Sequence, residues 1–514
     1  MRKLLVCASL AALLVGGCDV SVDEKGGASR QELARIAPQD LQAAATDPDV
    51  RLFYAARGWS AAWTKDLAKD LRAALADAPR NGLKAESFLD ETKGGTPAER
   101  DAALTRAALD YAHALAFGIV DPKKIFDPYT VPRPKLDLNA GLQQAVAQGR
   151  VKDWLAGLAP SDPEYKALSD AFLRYRQASA GPQSPPVPNG DKIEPGRRDP
   201  RIPAIAAALR RYGFAEAAPA PTESGRNAGP ADPATYTKRM ASEIARVQTD
   251  YGIKPDGIIG DDTLEALNNG AVERARILAA NLERRRWLDR HPPATRIDVN
   301  SAAAILTYWR DGQAAGSRRV VVGQPGWETP EIGAHIFRLV ANPDWTIPDK
   351  IAEEEVKPKG AAYMAKQHIA EKNGRLVQES GPDNALGLVK FDMDDPYAIY
   401  LHDTPAKALF ASPDRHGSHG CTRVEDALGF ARMIADEQGV RSRFEQALAT
   451  GKEANVTLPK PIPVRLVYQT AYLDGGRVVF RPDPYGWDDR LAQALGLGGQ
   501  LRHRQLKHIE SLAP

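Results

Sequence analysis

The chain has 514 residues, so at roughly 150 residues per domain it holds about three domains rather than a single core. Hydrophobic residues make up 43% and charged residues 26%, and 42 Gly with 39 Pro fall short of the roughly 25–30% that marks a disordered chain. Lys plus Arg number 68 against 66 acids, and the excess lies wholly in the first seventeen residues, so the remainder is neutral and carries no chain-wide electrostatic footprint for nucleic acid.

Arg2 and Lys3 precede an apolar run, Leu4 to Val15, too short to span a bilayer as a stable helix but suited to a secretory signal over residues 1–17. The run closes with Val15-Gly16-Gly17-Cys18, which resembles the lipobox of bacterial lipoproteins and implies cleavage before Cys18 and lipidation of that cysteine. Several acyl chains at about 0.8 kcal/mol per buried methylene give stable membrane anchoring. Ordinary secretion with cleavage nearby is the other reading. Asp19 resembles an inner-membrane retention signal, which places the protein on the periplasmic face of the inner membrane. Of three cysteines, Cys7 leaves with the signal and Cys18 takes lipid, so Cys421 has no partner for an internal disulfide. An unpaired thiol in an oxidising compartment is either buried or reactive.

Residues 18–30 read as a lipidated tether. A helical scaffold domain spans 31–198: its helical pattern runs from Gln31 to about Ala180, with Leu104, Ala108, Tyr111, Ala112 and Leu115 at helical spacing, and a Pro/Gly-rich stretch from Ala178 to Pro200 closes it. A second such stretch runs from Glu216 to Pro233. Three helical pieces, Ile202 to Tyr212, Ala234 to Tyr251 and one after Gly260, make a module over 199–270. Its last part, Asp256-Gly257-Ile258-Ile259-Gly260-Asp261-Asp262-Thr263-Leu264-Glu265-Ala266-Leu267, has glycines for a tight turn and an Asp or Thr to cap the helix. It resembles the three-helix peptidoglycan-binding domain; a module that only braces its neighbours is the alternative. Residues 271–292 read as an amphipathic connecting helix.

After Pro293 the period changes to that of strands: Ile305 to Trp309, Arg319 to Val322, Ile336 to Val340, Leu388 to Phe391, Ala398 to Leu401, Val464 to Tyr472 and Val478 to Phe480. Asp311-Gly312 signals a turn. A charged, helical insertion at about 350–380 interrupts this mainly-β domain, which extends over 293–495 and leaves 496–514 as a tail.

Three of nine histidines, His402, His416 and His419, fall within eighteen positions beside Cys421. His402 ends the extended run Tyr397 to His402, and Asp403-Thr404-Pro405 can cap a short helix. The loop Ser412 to Cys421 precedes Val424, Ala427, Leu428, Ala431, Ile434 and Ala435 at helical spacing, which sets Cys421 at or just before a helix N-terminus. There the helix dipole and a nearby imidazolium favour the thiolate, although Glu425 and Asp426 oppose this. Gly420 lets the backbone approach a carbonyl, and N–H groups at this turn can form an oxyanion hole. His416 reads as a solvated loop residue.

The string from His402, through sixteen residues, to His419-Gly420-Cys421-Thr422-Arg423 resembles the catalytic motif of the L,D-transpeptidases, the YkuD-type cysteine enzymes of peptidoglycan synthesis. Val320-Val321-Val322-Gly323 with Thr329-Pro330, Asn342 to Pro348, Gly381 to Gly387 and Tyr400 to Pro405 extend the likeness to the large, YcbB-like branch. The resemblance implies a multi-domain α+β fold: helical scaffold, three-helix peptidoglycan-binding domain, and a C-terminal YkuD-type sandwich with a helical lid. It implies a tetrapeptide donor stem attacked at the carbonyl on the L-centre of diaminopimelate, release of D-Ala from a Cys421 thioester, and a diaminopimelate acceptor, giving a 3-3 cross-link. His402 would be the base. Gly420, Ser418, His419 and Tyr400 would serve the oxyanion or substrate, Arg423 would orient the stem, and Trp345 with the insertion would cover the donor. Acylation of Cys421 by carbapenems follows. No cofactor or metal is implied, and the scaffold offers surface for cell-wall synthases.

Relatives of this branch often use an uncleaved N-terminal helix in place of a lipobox. Asp403 would point away from His402 on a strand, which leaves a backbone carbonyl to orient the imidazole. Three rival readings stand beside this one. A zinc site suffers from the spacing of His419 and Cys421, two apart. A hydrolase or L,D-carboxypeptidase on the same fold differs only in the acceptor, which pocket shape selects. A non-catalytic peptidoglycan-binding lipoprotein need not keep both His402 and Cys421.

Overall fold

The computed structural model describes residues 36–93, 95–181, 185–211 and 232–498. The signal, Cys18 and the tether lie outside the described residues, as do most of the stretch 216–233 and the tail from 499. Among the described residues no helix is long and apolar enough to cross a membrane.

The N-terminal region is helical because alanine and leucine recur every three to four residues. Its longest helix, α1 (Pro97–Phe117), starts with a capping box between Thr96 and Glu99 and buries Leu104, Ala108, Tyr111, Ala112 and Leu115. Asp101 on α1 is buried and accepts from Ala62 N at 2.9 Å, Trp63 N at 3.1 Å and Tyr54 Oη at 2.5 Å, which ties the preceding loop to the helix. The helix α2 (Pro163–Ser179) packs along α3 (Ala271–Trp287).

The sequence suggests an amphipathic α3, yet Arg274, Arg284, Arg286 and Glu283 are as buried as Leu278 and Leu282. The charges are matched internally: Arg284 pairs with Asp488, Arg286 with Glu283, and Arg285 reaches Asp162 at 2.8 Å. Helix α3 is therefore a central post on which the scaffold, the three-helix module and the β domain all lean. Hydropathy alone misreads it because a paired buried arginine has the sequence signature of an exposed one.

In the three-helix module, the helices Ile202–Arg211, Lys238–Asp250 and Asp261–Asn268 share a core that includes Ile205, Leu209, Ile244, Val247, Leu264 and Leu267. Gly257 sits at φ +69°, as the tight turn demands. The expected Asp or Thr cap is absent: Gly260 is the N-cap, and Thr263 instead meets the Gln248 side chain at 3.1 Å, with Gln248 also bonding Gly257 N and Ile258 O.

The β domain is one continuous sheet of nine strands in the order β10-β3-β11-β9-β8-β4-β12-β1-β2. The strands are β1 (Arg296–Asn300), β2 (Ile305–Arg310), β3 (Gln313–Gly323), β4 (Gly333–Ala341), β8 (Val389–Met393), β9 (Leu401–His402), β10 (His416–Ser418), β11 (Thr422–Val424) and β12 (Ala454–Val467). Because β2 also pairs with β3, the sheet curls and closes on itself, so the two faces of the sandwich belong to one sheet. Its core holds Val320, Val322, Ile336, Leu339, Phe391, Leu401, Val424 and Leu466, with Phe430 and Ile434 from α4 (Ala427–Glu437).

Strand β12 begins ten residues before the expected Val464, and runs through Pro459, Pro461 and Pro463. Prolines argue against a central strand. They are accommodated by a register shift between Thr457 and Ile462 where β12 pairs with β4.

The insertion is larger and less helical than its sequence suggests. A small sheet, β5 (Trp345–Thr346), β7 (Arg375–Gln378) and β6 (Ile369–Lys372), backs short helical turns between Asp349 and Lys366. Asn373-Gly374, both at positive φ, form the two-residue hairpin turn inside a run whose charge reads as helix. A separate hairpin, β13 (Ala471–Asp474) with β14 (Arg477–Phe480), leaves the main sheet and packs its Ala471 and Phe480 into the core of the three-helix module.

Candidate active site

Strands β9 and β11 run parallel, with Thr422 opposite Leu401 and Arg423 opposite His402. Side chains alternate faces along a strand, so this register sorts them by chemistry. Leu401 and Val424 enter the core, while His402 and Arg423 share the opposite face. Tyr400 and Cys421, one step before each strand and linked by Thr422 N to Tyr400 O at 3.1 Å, continue that face. On β8, Lys390 stands opposite His402 and lays its ammonium 4.4 Å from the Tyr400 ring centre.

Cys421 is half-buried, and its sulfur is held by the turn before β9. Sγ meets Ala398 O at 3.8 Å, and both the backbone N–H and the hydroxyl of Tyr400 donate to it. The Trp345 indole N–H donates in turn to the Tyr400 oxygen. Burial pushes the thiol up to about 11, against the opposing pull of Tyr400 and Lys390. Burial also holds the Tyr400 phenol well above its ordinary value.

His402 is buried, and its Nδ1 lies 2.5 Å from Asp403 O. A carbonyl only accepts, so Nδ1 carries the proton and Nε2 keeps its lone pair. Burial first, then the charge of Arg423, pushes the imidazole down to about 3. The Asp403 carboxylate points elsewhere, accepting from Leu388 N at 3.0 Å and pairing with Lys407. Burial likewise lowers Arg423 to about 10, with Cys421 opposing.

These observations correct the electrostatics read from the sequence. Cys421 is not at a helix N-terminus: three residues of β11 intervene, and α4 starts only at Ala427 behind an Asp426 cap. The helix dipole therefore does not reach the sulfur, and the resting pair is a neutral thiol with a neutral imidazole. Among the described residues, the hydrogen bonds of Sγ go to Ala398 and Tyr400 and none joins it to His402. Residues Tyr397 to Tyr400 are a turn rather than strand, with Ala398 at φ +57°. The short helix Lys407–Ala411 has no side-chain cap; Thr404 Oγ1 accepts from Ala406 N at 3.2 Å instead.

The loop before Cys421 is fixed from inside. Gly420 sits at φ +104°, and its carbonyl accepts from Thr329 Oγ1 at 2.8 Å. Ser418 is buried; its hydroxyl donates to Cys421 O at 2.5 Å and accepts the Gly420 N–H at 3.3 Å. Ser418 thus clamps the loop, and the Gly420 N–H is engaged rather than presented to a substrate. His416 is buried on β10 and not solvated, with Nδ1 2.9 Å from Asp414 and Nε2 3.0 Å from Ser301 O. Its neighbours along the sequence are polar, but β10 pairs with β3 and draws it inward.

His419 turns toward the insertion, with Nε2 2.5 Å from Glu355 and its ring edge-on to Trp327 at 4.7 Å. Glu355 lies on a π-helical turn, Ala352–Val356, a distortion common at functional sites. Lys350 places its ammonium 3.9 Å from the Trp327 ring centre. The insertion buries Trp345, Ile347, Ile351 and Val356 in a small core of its own, against which Tyr400 and Trp327 pack. Sequence reasoning missed Trp327, Glu355 and Lys390; only the Lys390 position on a strand beside His402 was open to inference. Among the described residues no group of three or more His, Cys, Asp or Glu is arranged to hold a metal ion.

Comparison with known proteins agrees with this architecture. Residues 294–455 match the YkuD L,D-transpeptidase catalytic domain, 48–172 match a scaffold domain, and 198–267 match the family described as "Putative peptidoglycan binding domain". A curated protein of Haemophilus influenzae, "Putative L,D-transpeptidase", is 33% identical over 219 residues, covering 38% of this chain and 45% of the relative. The chain thus spans under half the length of that relative. An L,D-transpeptidase from Mycobacterium smegmatis aligns with 34% of this chain and 58% of its own at 12% identity and TM-score 0.21. One from Xylanimonas cellulosilytica aligns with 56% of this chain and 100% of its own at 14% identity and TM-score 0.19; scores that low establish no shared fold. The family matches fall on the units that the fold itself separates, and the chain carries a YkuD-family L,D-transpeptidase catalytic domain joined to a peptidoglycan-binding domain and a helical scaffold.

Proposed function

We propose that this chain forms 3-3 cross-links in peptidoglycan through a Cys421 thioester. The observation that carries the reading is the shared polar face of β9 and β11, which groups Tyr400, His402, Cys421 and Arg423 while Asp403 O fixes the imidazole tautomer. Sγ attacks the carbonyl on the L-centre of diaminopimelate in a tetrapeptide stem. Its proton passes to His402 Nε2 and then to the leaving nitrogen, so the C–N bond breaks and D-Ala departs as the amine. An acceptor diaminopimelate amine then attacks the thioester, giving its proton to His402, which returns one to the sulfur.

Because thiol and imidazole are both neutral at rest, proton transfer accompanies attack, and a positioned base of this kind contributes on the order of 10²–10⁴ in rate. Tyr400 supports the developing thiolate. With the Gly420 N–H engaged by Ser418 and the Tyr400 hydroxyl engaged by the sulfur, the Cys421 N–H is the donor left to hold the oxyanion, worth roughly 3 kcal/mol. Arg423 and Lys390 supply positive charge for stem carboxylates. The insertion, tied to the nucleophile loop through Glu355 and His419, covers the donor. Cys18 would anchor the chain by lipid to the periplasmic face of the envelope, and carbapenems would acylate Cys421.

The test is mass spectrometry of products after incubating the full chain with purified disaccharide-tetrapeptide, beside Cys421→Ala. Cysteine-dependent release of D-Ala with a dimer linked between two diaminopimelate residues is the expected result. Cysteine-dependent tripeptide without dimer would make the protein a carboxypeptidase or hydrolase. Identical products from both proteins would leave only a binding role.

A further inference from the structure

Apart from the site around Cys421, a cavity of about 280 Å³ opens where the three-helix module meets the catalytic sheet. The turn Gly252–Pro255 after the helix Lys238–Asp250 forms one wall. The β1–β2 turn, Ala302–Ile305, and the loop Ala411–His416 form two more, and Arg481 and Pro482, just past β14, close the cavity. Four cationic side chains line it, Lys254, Arg319, Arg415 and Arg481, against the one carboxylate of Asp414.

Following each charge to its partner shows which are already satisfied. Arg319 makes a two-pronged pair with Glu425, Lys254 reaches Asp256 at 3.7 Å, and Asp414 is turned to His416 at 2.9 Å. Arg415 donates to the carbonyls of Ser412, Ala303 and Ala304, while its buried Nε meets no partner. Arg481 donates to the carbonyls of Asp250 and Phe480. Among the described residues neither Arg415 nor Arg481 forms an ion pair. Burial and the neighbouring charges of Arg319 and Arg481 both weigh against the Arg415 cation. Arg481 also lies 5.3 Å from the Tyr472 ring centre, and the charges of Asp414 and Glu425 partly offset the repulsion at Arg415. Guanidinium groups brought together whose hydrogen bonds go to neutral carbonyls can still take an incoming carboxylate, with the two-pronged geometry arginine favours.

The cavity also lies close to the chemistry. His416 lines it and Cys421 follows five residues later, at most about 18 Å away even for a fully extended chain. A polymer with carboxylates at short intervals can occupy both places.

We propose that this cleft is a second peptidoglycan site, in which Arg415 and Arg481 hold a stem-peptide carboxylate while another part of the same polymer lies at Cys421. The proposal rests on the reading that the chain acts on peptidoglycan, and it gives the three-helix module and the catalytic sheet a joint binding surface.

The test is calorimetric titration of the full chain, as Cys421→Ala to prevent turnover, with disaccharide-tetrapeptide. Arg481→Gln should weaken binding about tenfold, the order expected for one charge-assisted contact. Lys254→Gln, whose side chain is 74% exposed and should fold as the parent does, should weaken it severalfold. Parent-like affinity in both variants would overturn the proposal. Inorganic phosphate displacing the muropeptide at equal concentration would also overturn it, by making the cleft an unselective anion site. The transpeptidase reading is measured separately, as D-Ala release by the chain with Cys421 intact: arginine-dependent binding without release would remove that reading and keep the cleft, and release with arginine-independent binding would do the reverse.

Discussion

Tyr400 donates to Cys421 Sγ twice, once from its backbone N–H and once from its hydroxyl. Both bonds favour the thiolate, and burial nevertheless leaves the thiol at about 11. Alkylation of Cys421 by iodoacetamide should therefore be slow at pH 7 and still rise by about tenfold per pH unit beyond pH 8.5, where an ordinary thiol levels off. Tyr400→Phe should slow it about a further tenfold at fixed pH, the value of one hydrogen bond to a charged group. Equal rates in the two proteins would remove Tyr400 from the nucleophile's support.

His402, held down to about 3, is neutral from pH 5 to pH 8. His402→Ala should lower D-Ala release by about 10²–10⁴, by nearly the same factor at pH 5 and pH 8. A factor that shrinks steeply below pH 6.5 would mean that the imidazole titrates normally. The depressed value also sets a stability trend. The unfolded chain binds this proton below about 6.5 and the folded one only near 3, so the neutral form's contribution is present above 6.5 and lost as pH falls toward 3.

Glu331 shows the opposite trend. It is buried beside Arg284 and accepts from Tyr468 N at 3.3 Å, and its other carboxylate oxygen meets no partner. Burial raises it to about 7, against the pull of Arg284. The folded state then holds a proton that the unfolded state has released, so its stability is full below about 4.5 and lost as pH rises through 7. Glu331→Gln should match the parent at pH 5 and exceed it by about 1–3 kcal/mol at pH 8 in denaturant unfolding. A constant difference across that range would mean that Glu331 stays ionised.

The contact between Glu355 and His419 joins the insertion to the nucleophile loop. Glu355→Gln should speed amide hydrogen exchange in β6 and β7 while leaving α1 unchanged, because the insertion has a small core of its own and few other ties near the site. Unchanged exchange would show that packing of Trp345 and Tyr400 alone holds the insertion down.

Much of this was legible in one dimension. The spacing of His402, His419 and Cys421, the helical period before residue 180 and the change to strands after Pro293 are local signals, and local signals survive without a fold. The sequence by itself therefore pointed to a helical part, a three-helix module and a mainly-β part, and singled out Cys421 and His402 as the candidate nucleophile and base. Only the tertiary structure decided their surroundings, because those depend on which strand lies beside which. Pairing of β9 with β11 put Arg423 next to His402, pairing of β10 with β3 drew His416 inward, and the turn before β9 wrapped Tyr400 around the sulfur. Burial then reversed the charge state that a helix N-terminus would have imposed, since desolvation acts through three-dimensional neighbours that no spacing along the chain records.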